Sequence, residues 1–280
     1  MITCYLMGGL GNQLFQIFTT ISYAIKSRNK FVFLNIHTLG GGTTTVRITY
    51  WNNFLTKMSP FLIKELPANL KIIKENGFPY TELPIYQMIG KDIMIQGYFQ
   101  SYKYFESNYA TICRIIDLNN KKHKLIDSLN LNNEYFNNTI SIHFRLGDYK
   151  TLQNYHPLAT IEYYKCAILY IKKKYLKTAF RILYFCEEED IEDVLEKINQ
   201  LQIDFPEYVF IRGENTLADW EQLLLMSCCQ HNIIANSSFS WWAAYFNSNS
   251  EKIVCYPSCW FGPDAKLDTK DLCPSTWIKI

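Results

Sequence analysis

The sequence has 280 residues, enough for one large or two ordinary domains with a self-sufficient apolar core. A hydrophobic fraction of 48%, a charged fraction of 19% and a formal charge of +2 describe a globular protein without the basic excess of a nucleic-acid binder, so any anion site is local. Nine cysteines with no CxxC pair and no matching histidine spacing argue against a metal cage and read as mostly reduced, buried thiols of a cytoplasmic protein.

Residues 1–7 read as a short buried strand with no basic leader. No run of about 18 apolar residues occurs, so a soluble or at most peripherally attached protein is expected, without a membrane span. Gly8-Gly9-Leu10-Gly11-Asn12-Gln13 follows and leads into an apolar helical run to about Ile25. Such a loop turns backbone N–H groups and the positive helix end toward an anion, which makes Gly9, Gly11 and Asn12 candidate binding residues. A plain tight turn is the alternative, and the amides of Asn12 and Gln13 favour a ligand. As a dinucleotide fingerprint the run fails, because Leu14 stands where the third glycine of G-x-G-x-x-G belongs.

A second strand is expected over residues 30–35, loops and short elements over 40–84, a strand with a glycine turn over 92–101, and a helix over 102–116. The polar, Asn-rich stretch 121–138 reads as a helix with connections and marks a boundary between residues 1–135 and 136–280. Strand and helix then alternate: strand 139–144, helix 161–175, strand 181–186, acidic helix 190–200, strand 208–211, helix 218–229 and strand 232–235. The expected fold is α/β, with two Rossmann-like halves.

Three polar positions follow the strand at 139–144. Alternation puts His143, Arg145 and Gly147 on one face and Phe144 and Leu146 on the other, at the carboxyl end where open α/β sheets bind ligands. An arginine fork there suits a diphosphate; the rival reading is an Arg145–Asp148 salt bridge that orders the loop. Asn236, Ser237 and Ser238 occupy a strand-to-helix turn that caps a helix and presents donors to a second phosphate position, while Trp241, Trp242 and Tyr245 read as core. Asp219 opens a helix, where it either complements the dipole or accepts the two donors of a guanine edge.

Taken together, Gly8-Gly9-Leu10-Gly11-Asn12-Gln13-Leu14-Phe15-Gln16, Gly97-Tyr98-Phe99-Gln100-Ser101, His143-Phe144-Arg145-Leu146-Gly147-Asp148-Tyr149 and the block from Asp219 to Tyr245 resemble the α1,2-fucosyltransferase family across nearly the whole chain. The resemblance implies a GT-B fold of two Rossmann-like domains facing across a cleft, an N-terminal acceptor-side domain and a C-terminal domain that holds GDP-fucose. It also implies inverting transfer of L-fucose to an acceptor oligosaccharide or glycoconjugate, at O-2 of a terminal galactose, with no metal and no cofactor beyond the donor. Arg145 would contact the diphosphate, His143 would lie by the nucleotide and Asp219 would recognise guanine. Asn236, Ser237 and Ser238 would hold phosphate oxygens, and Asn12 would approach from the other domain.

Two departures stand out: Leu146 where the family has a second arginine, and Cys186-Glu187-Glu188-Glu189-Asp190 where it has Ser-Asp-Asp, which leaves the acidic contact unassigned. Asp148 is the nearest motif carboxylate to serve as base, unless it orients Arg145. A nonenzymatic nucleotide- or sugar-binding protein with a decayed site is the alternative function, and an α/β oxidoreductase is a third.

Overall fold

The computed structural model describes residues 1–42, 45–85, 90–176 and 179–280, so Thr43 and Thr44 of the glycine-threonine stretch lie outside the described residues. Two compact units are present, one of Met1–Lys121 with Leu267–Pro274 and one of Lys122–Lys266 with Ser275–Ile280. The division falls between Lys121 and Lys122, earlier than the expected boundary at residue 135. The polar stretch forms helix from Leu118 onward, and Lys122 Nζ already donates to Phe246 O at 2.5 Å within the second unit.

In the first unit, β1 (Ile2–Cys4) runs through the glycine turn into α1 (Leu10–Lys26), and short strands follow: β2 (Phe33–Leu34), β3 (Thr38–Leu39), β4 (Arg47–Ile48), β5 (Leu62–Ile63), β6 (Lys71–Lys74) and β7 (Ile93–Gln96). They form a parallel three-stranded sheet β1-β7-β6, a parallel pair β2-β5 and an antiparallel pair β3-β4. A bridge from Ile2 to Phe31 extends the expected second strand toward β1. Helix α1 is buried almost all round, which a soluble helix tolerates only if its polar side chains find partners. Gln13 Nε2 donates to Gly8 O at 2.9 Å and Ile48 O at 2.8 Å, and Gln16 Oε1 accepts from Met7 N at 2.9 Å. Two one-turn 3₁₀ segments lead into α2 (Tyr109–Ile115) over the stretch read as one helix.

After α3 (Leu118–Ser128) and α4 (Asn133–Phe136), the second unit alternates β8 (Thr139–His143), α5 (Ile161–Lys174), β9 (Arg181–Phe185), α6 (Ile191–Asp204), β10 (Val209–Arg212), α7 (Asp219–Met226), β11 (His231–Ile233), α8 (Ser238–Phe246), β12 (Val254–Tyr256) and β13 (Ile278–Lys279). All six strands are parallel, in the order β10-β9-β8-β11-β12-β13. That is the doubly wound Rossmann order, and β12 and β13 complete it although their short runs gave no strand signal in the sequence.

The central position of β8 explains its unbroken burial, because a strand covered on both faces has no solvent side. Thr160 caps α5 by accepting from Tyr163 N at 3.2 Å, and Lys172, Lys173 and Lys174 close it against the negative helix end. Val194, Ile198 and Leu201 form the inward stripe of α6. The chain order reverses between β8 and β11, so the carboxyl ends of these two strands flank a topological switch point, the place where open α/β sheets leave a crevice for a ligand.

Candidate active site

Beyond β8 the chain leaves the sheet in a fixed sequence of turns. Phe144 N still donates to Phe185 O at 2.8 Å, and Phe144 and Leu146 turn inward to join the hydrophobic core. The position where the family carries a second arginine is therefore occupied by a core side chain. Arg145 points the other way. Gly147 has φ +42, a left-handed conformation that favours glycine, and the Glu187 carboxylate and Arg145 guanidinium ends lie 2.9 and 3.4 Å from where a Cβ would stand. Gly147 N donates to the buried Asp190 carboxylate at 2.7 Å, which pins the turn from below.

The guanidinium of Arg145 is held from three sides. Nη2 pairs with Asp148 Oδ1 at 2.5 Å, Nη1 pairs with Glu187 Oε1, and Cζ lies 5.0 Å from the Tyr149 ring centroid. Burial disfavours its charge, but Glu187, Asp148 and Tyr149 outweigh burial and hold it firmly protonated. The ion pair with Asp148 is thus present, and through Oδ1 it engages the carboxylate expected either to serve as base or to orient Arg145. The acidic run after β9 acquires definite roles: Glu187 on Arg145, Glu188 on Arg212 at 2.6 Å, and Asp190 on Gly147 N and on Lys150 at 2.8 Å. Lys150 also reaches Asp193 at 2.6 Å, and both carboxylates push its pKa up.

His143, the last residue of β8, is buried, with its ring 5.4 Å from that of Phe239 in the first turn of α8. Burial, then the Arg145 charge, push its pKa down to about 3, so the ring is neutral, and its Nδ1 is buried without a partner. Its position brings the β8 motif against the turn after β11.

In that turn Ser237 caps α8 by accepting from Phe239 N at 3.3 Å, and Ser238 begins the helix half-buried. The structure gives Asn236 a different task from the expected phosphate donor. It is 2% exposed, and its Nδ2 already donates to Pro157 O at 2.9 Å and Trp260 O at 3.1 Å. One amide thereby joins the loops that follow β8, β11 and β12, and Tyr149 Oη adds a bond to Asn236 O at 3.4 Å. Gly262 completes the junction: its N donates to Tyr155 O at 3.0 Å, and a Cβ there would meet Asn154 O at 2.1 Å. Trp241 and Trp242 are fully buried, as core residues.

Asp219 opens α7, the helix between β10 and β11, and its carboxylate accepts from Trp220 N at 2.7 Å, the dipole-complementing arrangement. Gly9, Gly11 and Asn12 belong to the first unit. Gly9 caps α1, Gly11 and Asn12 lie in its first turn, and Asn12 Oδ1 accepts from Gln100 Nε2 at 2.8 Å, which joins the first motif to the Gly97–Ser101 run. Gln13 serves backbone carbonyls rather than a ligand. Glu187 and Asp190 stood out in the sequence as part of an acidic run without an assigned role, and Gly262 was missed by sequence reasoning. Only the acidic pair carried a usable signal, since acidic groups at the end of the second strand are a nucleotide-fold hallmark.

Among the described residues no helix is long and apolar enough to cross a membrane. The sequence profile of glycosyl transferase family 11 matches residues 1–279. An alpha-1,2-colitosyltransferase of Escherichia coli is 27% identical over 302 residues, covering 100% of this chain and 98% of that protein. The O-antigen biosynthesis glycosyltransferase WbnK of Escherichia coli is 28% identical over 190 residues, covering 66% of this chain and 59% of that protein. Among solved structures, a mutant of Arabidopsis thaliana FUT1 in complex with GDP is similar at 10% identity and a TM-score of 0.47, over 90% of this chain and 69% of that one. Matched along essentially its whole length by the family profile, the chain belongs to glycosyl transferase family 11.

Proposed function

We propose that the chain is an inverting glycosyltransferase that moves L-fucose from GDP-fucose to a hydroxyl of an acceptor glycan, O-2 of a terminal galactose, with no metal. The observation that carries the reading is the position of Arg145 and the α8 N-terminus on either side of the β8/β11 switch point. Glycosyl transfer from a nucleoside diphosphate builds negative charge on the leaving group, and a fixed guanidinium opposite the positive end of a helix meets that charge without reorganisation. In this reading Arg145 takes the diphosphate, Ser237 and Ser238 supply donors, and Asp219 accepts from guanine. Asn236 positions the loops, and Gly9, Gly11 and Asn12 serve the acceptor side of a GT-B enzyme.

A second donor, GDP-colitose, is favoured by one observation: the relative aligned along nearly its whole length is named an alpha-1,2-colitosyltransferase. Purified protein incubated with each GDP-sugar and a panel of galactose-terminated acceptors, followed by linkage analysis, decides between the donors. Arg145→Ala should lower transfer at least about 100-fold with an unchanged melting temperature. Near wild-type turnover in that variant, or a large loss on EDTA treatment of the wild type, would overturn the reading.

A further inference from the structure

We infer that His156 is the proton acceptor for the attacking hydroxyl, with its Nε2 as the reacting atom. The inference rests on the proposed transfer reaction and assigns a role the motifs leave open, since Asp148 is spent on Arg145.

Three structural observations support it. First, His156 lies in the loop at the carboxyl end of β8, the ligand side of the sheet. Its ring stacks on Tyr149 at 4.6 Å with an interplanar angle of 17°, and Phe261 packs 5.7 Å away. Tyr149 is the ring against which Arg145 rests, so the imidazole lies within about 10 Å of the guanidinium carbon. Second, the ring is held by the junction that Asn236 makes, through Tyr149 Oη on Asn236 O and through the carbonyl of the adjoining Pro157. Third, Nδ1 is buried without a partner, which leaves Nε2 as the nitrogen of this half-buried ring that a substrate can reach.

The groups that face the ring are Asp148 and Arg145 from its own loop, with the Tyr149 ring on its stacked side and the uncharged Phe261 on the loop after β12. Burial holds its pKa below the ordinary histidine value against the opposing pull of Asp148, and Arg145 adds a smaller push in the same direction as burial. The imidazole is therefore neutral at neutral pH, the form a base requires. In the step, Nε2 takes the proton of the acceptor O–H as that oxygen bonds to the anomeric carbon. The bond from that carbon to the phosphate oxygen breaks, and its electron pair leaves on GDP beside Arg145. The imidazolium then returns its proton to solvent.

The test is kinetic. His156→Gln should lower kcat about 100- to 1,000-fold while calorimetric GDP affinity stays within about threefold, and the acid limb of kcat/KM, which lies below the ordinary histidine range, should vanish. Free imidazole should restore turnover to His156→Ala. Should the melting temperature of the Gln variant drop, His156→Phe keeps the stack on Tyr149 and serves in its place. A variant with kcat within about threefold of wild type, an unchanged acid limb, or a loss of GDP affinity equal to the loss of rate would overturn the assignment. A wild type inactive toward every GDP-sugar would overturn the proposed reaction and this role with it, whereas an active wild type with an equally active His156→Gln removes only the role of His156.

Discussion

Replacing Asn236 by aspartate changes one atom pair at the junction of three loops. The buried Nδ2 that donates at 2.9 Å to Pro157 O and 3.1 Å to Trp260 O becomes an oxygen facing two carbonyl oxygens. Two hydrogen bonds worth about 1 kcal/mol each are lost, and a carboxylate at a 2% exposed position adds an uncompensated charge, for a total of about 4 kcal/mol at pH 8. Protonation removes the charge and restores one donor, so the cost falls to about 1–2 kcal/mol at pH 4. The sign follows from linkage: the new carboxyl has its folded pKa raised, the folded chain holds the proton that the unfolded chain releases above about pH 4, and stability is lost as pH rises. Urea unfolding followed by tryptophan fluorescence at both pH values, with wild type as reference, measures the difference. A cost below about 1 kcal/mol, or the same cost at both pH values, would refute the claim that this amide holds the loops together.

Glu187→Gln should tighten GDP binding two- to fivefold by calorimetry. Its half-exposed carboxylate competes for the Arg145 fork at a worth of about 0.5–1 kcal/mol, and weaker binding would show instead that Glu187 touches the nucleotide. Lys252 is held at about 8 by burial and then by Lys122, while it donates to Ala244 O and Asn247 O at the end of α8. Between about pH 8 and 10.5 the unfolded chain keeps a proton that the folded chain has released, so stability gains with rising pH there, and Lys252→Met should remove that gain in denaturation curves set against wild type.

Periodicity and glycine punctuation made the alternation of the second half readable from residue 139 onward, because each helix has an apolar stripe and each central strand a continuous apolar run. The edge escaped. β12 and β13 are three and two residues long and have no period of their own; they are strands because the sheet offers them partners. The same limit applies at the site. Arg145 and the Ser237 turn stand at strand ends that chain order reveals, whereas the engagement of Glu187 with Arg145 depends on the β8/β9 register, which no local pattern encodes. Asn236 illustrates the opposite error. Its place in a polar turn suggested a ligand, but both amide protons serve backbone carbonyls that only the folded chain brings near.

The eight residues Leu267–Pro274, near the end of the chain, complete the first unit: Asp271 accepts from Tyr80 N at 3.1 Å and pairs with Lys103 at 2.5 Å across 168 residues of sequence. On a ribosome adding ~5–20 residues per second, Lys103 waits roughly 8–34 s for its partner. The first unit therefore reaches its final set of contacts only after the second unit's central strands have been made. A stop codon ahead of Asp271 would leave the first unit, rather than the second alone, without the partner of Lys103.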